Sequence, residues 1–227
     1  MHYVSVEGLT KSYGIYPLFK GISFNINEGD RIALIARNGV GKSTLLKIMA
    51  GKEHPGAGTC RIYKDVHLVM FEQDPQFDES ATILQNLFQQ DHPVMKAISQ
   101  YEMAMESGEE QAISDAIVEM EERSAWDFES KVNIILTQLN IHHLQQPVAK
   151  LSGGQRKRVS LAKTLIQIGF DPRHIFLLMD EPTNHLDLNM IEWLENYLSQ
   201  EKVTLLLVSH DRYFLESVTD EIWELER

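Results

Sequence analysis

Cysteine is almost missing from this chain: Cys60 stands alone among 227 residues. No internal disulfide can form, so burial and hydrogen bonding must hold the fold, and a reducing cytoplasm suits such a protein. Long apolar runs are missing too. None approaches the roughly 20 residues that a bilayer-crossing helix needs, so no direct membrane insertion is expected and any membrane role falls to a partner. The start of the chain lacks a secretory pattern, because residues 1–7 alternate like a strand. Basic residues are scarce: 21 Lys and Arg stand against 33 Asp and Glu, a formal charge of −12. That balance opposes nonspecific attraction to nucleic-acid phosphates and leaves only a local basic patch open. Internal repeats and low-complexity segments are also lacking. What remains is 43% hydrophobic and 24% charged, which places the chain among folded globular proteins rather than disordered ones.

Three regions separate by pattern. Residues 2–75 are rich in short β-type runs, at 3–7, 23–26, 31–35 and 67–71, with turn signals at Glu28-Gly29-Asp30 and Pro55-Gly56-Ala57-Gly58. One helix interrupts them over 42–50, with Gly51 placed to end it. Residues 80–167 carry helical spacing instead. Leu84, Leu87 and Phe88 share a face, as do Ile113, Ile117 and Met120, and Ser107-Gly108 marks a turn between two helices. Val132, Ile135, Leu136 and Leu139 line one side of another helix over about 127–139. Residues 174–227 return to strand–helix alternation, and the continuous apolar runs at 175–179 and 203–208 suit parallel strands covered on both faces. The expected architecture is an α/β core of 1–79 and 168–227, interrupted by a helical subdomain of 80–167.

After the run at 31–35 comes Ala36-Arg37-Asn38-Gly39-Val40-Gly41-Lys42-Ser43-Thr44 and then a helix, the strand–loop–helix context that a Walker A loop requires. Gly39 and Gly41 let the backbone curl until its N–H groups converge before the positive end of the helix. Asn38, Gly39, Val40, Gly41, Lys42, Ser43 and Thr44 are therefore the candidate cradle for a triphosphate. Lys42 would reach the β- and γ-phosphates, and the Ser43 hydroxyl would ligate Mg²⁺. Ala36 stands where the pattern usually has its first glycine. A positive φ there would cost alanine on the order of 1 kcal/mol; a need only for a small side chain would cost little. The second case is expected, since the other phosphate-facing positions are intact.

The apolar run at 175–179 ends in Asp180-Glu181, at the strand tip where open α/β sheets place ligands. Asp180 is the expected Mg²⁺ carboxylate, and Glu181, pointing differently, can polarise an attacking water as general base. A second anion site lies at Leu151-Ser152-Gly153-Gly154-Gln155, where Ser152 caps a helix and two glycines expose N–H groups at its positive end. One ATP has one γ-phosphate, and a helical region separates the two loops in sequence. The economical expectation is that the second loop serves a nucleotide held by another subunit.

Together these residues resemble the ATP-binding cassette (ABC) superfamily over essentially the whole chain, with the run from Leu151 to Gln155 matching its signature motif. The resemblance implies a P-loop NTPase of the ABC type: a mixed α/β core with an N-terminal antiparallel β subdomain and an inserted helical subdomain. It further implies that Gln73 joins the Mg²⁺ and γ-phosphate site to the helical region, that Asp187 is the D-loop aspartate and that His210 is the switch histidine at the γ-phosphate. By the same resemblance Tyr13 stacks on adenine, with neighbouring Tyr16 as the alternative. Within the superfamily, the run from Asp180 to Asp187, with Asn184-His185, is similar to the ABC-F family, as are Ser209-His210-Asp211-Arg212-Tyr213-Phe214-Leu215 and Ala125-Trp126-Asp127. ABC-F proteins typically carry two cassettes on one chain, work without membrane domains, and many act on the ribosome. The expectation is an N-terminal cassette of a longer ATPase that closes against a second one. Helices around 94–124 are too acidic to grip RNA by charge, so an arm there would bind through protein surfaces or a few basic residues. The competing expectation is the cytoplasmic ATPase subunit of a membrane transporter, with a chromosome-organising ATPase a distant third.

Overall fold

The structure, a computed structural model, describes residues 1–72, 75–88, 93–170 and 174–226. In chain order its elements are β1 (His2–Tyr13), β2 (Tyr16–Asn27), β3 (Arg31–Ile35), α1 (Lys42–Met49), β4 (Ala57–Ile62) and β5 (His67–Phe71). The helices α2 (Ile83–Leu87), α3 (Pro93–Ser107), α4 (Glu110–Glu122), α5 (Trp126–Gln138) and α6 (Gly153–Phe170) follow, with a 3-10 turn at Val148–Lys150 before α6. The chain closes with β6 (Ile175–Asp180), α7 (Leu188–Gln200), β7 (Thr204–Val208), α8 (Arg212–Val218) and β8 (Glu221–Glu224). Two compact units result: Met1–Gln73 with Asp171–Arg227, and Asp74–Phe170.

The first unit holds two sheets. β2, β1 and β4 form an antiparallel one in that order, while β5, β6, β7, β3 and β8 form a parallel one. Because β6, β7 and β3 are neighbours and run the same way, their C-terminal ends share one edge. From that edge leave the loop into α1, the Asp180-Glu181 corner and the Ser209-His210 corner. β6 and β7 are buried at every position, the expected mark of parallel strands covered on both faces. Leu206, Phe176, Ile32 and Leu46 meet in the core with the inner faces of β1 and β2. Leu206→Ala, at 1% exposure in β7, is expected to lower unfolding stability by about 2–5 kcal/mol. Urea denaturation reads that loss directly.

Three features escaped the sequence. The β1–β2 hairpin is much longer than its two legible segments, because register shifts between Val6 and Leu9 and at three further points break the period-2 pattern. The turn signal at Pro55-Gly56-Ala57-Gly58 is partly strand, since Ala57 and Gly58 begin β4. Gly58 sits at φ +81, and a Cβ there would lie 2.4 Å from the carbonyl oxygen of Gly8. That glycine permits a close approach of two strands rather than a reversal. β8 pairs in parallel with β3 from Ile32 opposite Glu221 to Ile35 opposite Glu224, yet three of its four residues are exposed and two of those are glutamates, so no buried apolar run marks it.

The second unit is helical in its regular elements. Thr82 caps α2 in a reciprocal box with Gln85. Fully buried Asn86 accepts from the N–H of Asp78 and donates to the carbonyls of Asp78 and Thr82, which stitches the entry of α2. α3 and α4 pack as a hairpin around Gly108, at φ +70. α5 packs on α6, with Val132, Ile135 and Leu136 buried.

Candidate nucleotide site

The loop from β3 into α1 is shaped by two left-handed glycines, Gly39 at φ +80 and Gly41 at φ +104. Gly41 accepts the N–H of Leu45 at 2.8 Å and so opens α1. A Cβ on Gly41 would meet Leu18 at 3.0 Å and Phe19 at 3.3 Å, so both its conformation and its surroundings call for glycine. Lys42 bends back so that its ammonium donates to the carbonyl of Ala36 at 2.9 Å. One of its three donors is thereby spent within the loop that it would bring to a phosphate. Ala36 is not among the non-glycine residues with positive φ, so alanine costs no backbone strain there, and it packs against the core.

The loop forms one wall of a cleft of about 520 Å³, within the range of ligand sites. Asn38, Gly39, Gly41, Lys42, Ser43 and Thr44 line it together with Asp180, Glu181 and His210. Val40 does not join them. Its side chain is 5% exposed in the core, and its N–H reaches back to the Arg37 carbonyl at 3.4 Å. Asn184, a family marker in the sequence, is part of the lining. Gln73 lies outside the described residues.

Asp180 ends β6 and is 3% exposed. Its carboxylate and the Ser43 hydroxyl are the hard oxygen donors on the cleft wall that suit Mg²⁺. Glu181 follows at φ +52, a left-handed conformation uncommon for its type, fixed by its N–H donating to the Val208 carbonyl at 2.8 Å. The corner turns its side chain towards His210. Oε2 accepts the His210 backbone N–H at 3.3 Å, and Oε1 lies 3.4 Å from His210 Nε2 without hydrogen-bond geometry. Among the described residues, Glu181 Oε1 is the buried side-chain polar atom without a hydrogen-bond partner. Burial pushes the Glu181 carboxyl above the usual range; His210 with its N–H draws it back, Asp180 adds to the rise and Lys42 opposes it. A desolvated carboxylate with a free acceptor is equipped to take a hydrogen bond, and then a proton, from a water.

Tyr13, the last residue of β1, lines the same cleft and is 55% exposed. Tyr16, its partner across the hairpin, is 73% exposed and is not part of the lining. Asp187 caps α7, accepting the Met190 N–H at 3.0 Å. In the second unit the Ser152 hydroxyl accepts the Gln155 N–H at 3.3 Å, while the Gln155 side chain accepts the Ser152 N–H at 2.9 Å. This reciprocal box opens α6 with Gly153 and Gly154 in its first turn. Arg156 follows, paired with Glu79, with its guanidinium 5.6 Å from the Phe77 ring. Neither Arg156 nor Glu79 carries a motif that would single it out in the sequence; their long separation hides the pair.

Comparison with known proteins places the chain in a family. A family model described as "ABC transporter" matches residues 19–184. The "Uncharacterized ABC transporter ATP-binding protein YfmR" of Bacillus subtilis is 43% identical over 235 residues, covering 100% of this chain and 37% of that protein. The "Energy-dependent translational throttle protein EttA" of Mycobacterium tuberculosis is 30% identical, covering 98% and 40%. A solved "ATP binding subunit of ABC transporter" superposes with a TM-score of 0.71 at 21% identity, covering 99% of this chain and 86% of its own, which speaks for the fold. The chain therefore belongs to the ABC family as an ATP-binding cassette, and its relatives include ABC-F members. It spans 37% and 40% of the length of the two curated relatives.

Proposed function

We propose that this cassette binds Mg-ATP in the cleft of the first unit and hydrolyses it when a second cassette closes on it, as part of a ribosome-associated translation factor of the ABC-F type. The observation that carries the enzymatic reading is the orphaned, buried Oε1 of Glu181 on the wall shared with Lys42 and Asp180. Lys42 exchanges the Ala36 carbonyl for phosphate oxygens, and the N–H groups around Gly39 and Gly41 orient the triphosphate. Ser43 and Asp180, with Gln73, would hold Mg²⁺, which when bound neutralises charge on the β- and γ-oxygens. Glu181 takes the proton of the attacking water, and His210 holds the γ-phosphate side of the cleft. Ser152, Gly153, Gly154, Gln155 and Asp187 serve the partner cassette's nucleotide in trans. Catalysis is then positioning and charge stabilisation, and a single cassette alone is weak or inactive.

Support for the ribosomal reading comes from Asn184-His185 and from a relative named a translational throttle. Sedimentation of the Glu181→Gln protein with ATP through a sucrose cushion tests it. Co-migration with ribosomes is expected; recovery with membrane vesicles and not with ribosomes would point to a transporter subunit.

A further inference from the structure

An exposed tyrosine beside a hairpin turn should swing freely about its side-chain torsions, yet Tyr13 is held. Its hydroxyl donates to Glu53 Oε1. Glu53 lies just beyond α1, the helix that begins at Lys42. Lys11 Nζ comes to the same oxygen at 2.8 Å, donates to the His54 carbonyl at 2.7 Å, and stands 5.4 Å from the centroid of the Tyr13 ring. Two strand residues, Lys11 and Tyr13, thus converge at a single carboxylate oxygen of Glu53, and the ammonium lies over the ring. Tyr13 itself is 55% exposed and lines the cleft of the phosphate loop. Lys11 and Tyr13 together draw the Glu53 carboxyl below its usual range, so it is ionised and accepts throughout neutral pH.

We propose that Glu53 and Lys11 are positioning residues that lock the Tyr13 ring for stacking on the adenine, an inference that rests on reading the cleft as an ATP site. Ordering the ring in advance removes part of the entropy loss that binding would otherwise carry. The hydroxyl is therefore the reason for tyrosine here: phenylalanine offers the same stacking face but no tether. The tether also joins Tyr13 to the segment that leaves α1, the helix whose first residue is Lys42.

Calorimetric titration of the chain with Mg-ATP and with Mg-tripolyphosphate, which has no base, tests this. Glu53→Ala and Tyr13→Phe are each expected to weaken Mg-ATP about fivefold, and the double variant no more than either single one. Glu53→Gln, which keeps an acceptor, should restore most of the affinity. Tripolyphosphate affinity should stay unchanged in all of them. Tyr13→Ala is the control for the underlying reading, with an expected loss of about 10- to 100-fold for Mg-ATP only. If Tyr13→Ala weakens Mg-ATP while Glu53→Ala and Tyr13→Phe do not, the tether is overturned and the stacking stands. If Tyr13→Ala leaves Mg-ATP untouched, the stacking itself fails and the tether falls with it. An equal loss for tripolyphosphate in Glu53→Ala would mean general damage to the loop and also overturns the tether.

Discussion

Glu181→Gln is expected to bind Mg-ATP much as the parent does and to hydrolyse it about 10²- to 10⁴-fold more slowly, the usual share of a positioned general base. The amide keeps the size of the carboxyl and can still accept the His210 N–H, so the corner at φ +52 should survive. What it loses is the ability to take a proton. Steady-state phosphate release at saturating Mg-ATP, beside a binding titration, separates the two effects. In the parent, the raised carboxyl pKa means that activity should fall on the acidic side at a pH above the ordinary glutamate value of about 4.3. The same shift has a stability consequence of definite sign. The folded state binds this proton more tightly than the unfolded chain does. Stability therefore declines as pH rises from the ordinary glutamate value through the raised one, and ionised Glu181 is a net cost above that window. Glu181→Gln should raise the thermal midpoint at about pH 8, with the gain shrinking towards zero near pH 4. A stabilised but inactive variant is the pattern of a residue kept for chemistry. Loss of stability at both pH values would mean that the carboxylate is structural.

Lys42→Ala should abolish detectable nucleotide binding. A charge-assisted hydrogen bond contributes about 1.5–3 kcal/mol, and this ammonium is placed to reach two phosphates, so the affinity should drop by on the order of 100-fold or more. Folding should be spared, because the bond that Lys42 makes to the Ala36 carbonyl lies within one loop and ties no distant elements together. Unchanged circular dichroism with lost binding is the expected pair of results; retained affinity would remove the loop between β3 and α1 from the site.

Much of this site was legible before the structure because its chemistry depends on short, contiguous spacing. Gly39, Gly41, Lys42 and Ser43 lie within five residues, and Asp180-Glu181 ends a six-residue buried strand. The parallel strands announced themselves by unbroken apolar runs. What could not be read was whatever depends on distance in sequence or on local irregularity. The hairpin's bulges erased its alternation, and Gly58 looked like a turn because its true reason, the nearby Gly8 backbone, lies 50 positions away. Tyr13, with Tyr16 as its alternative, rested on the resemblance alone; in the fold Tyr13 lines the cleft and its hydroxyl reaches Glu53, while Tyr16 is not part of the lining. The left-handed turn at Glu181 was likewise invisible, since nothing in Asp-Glu-Pro specifies it.

At the centre stands the idea that one cassette holds half of each working site, with Lys42 and Glu181 acting on its own nucleotide and Ser152 acting on its partner's. The ATPase rate per chain, followed at saturating Mg-ATP over a roughly 100-fold range of protein concentration, reads this directly. A per-chain rate that climbs with concentration, and is abolished by Ser152→Arg as well as by Glu181→Gln, is the expected result. A per-chain rate that is already full at the lowest concentration, and indifferent to Ser152→Arg, would contradict it.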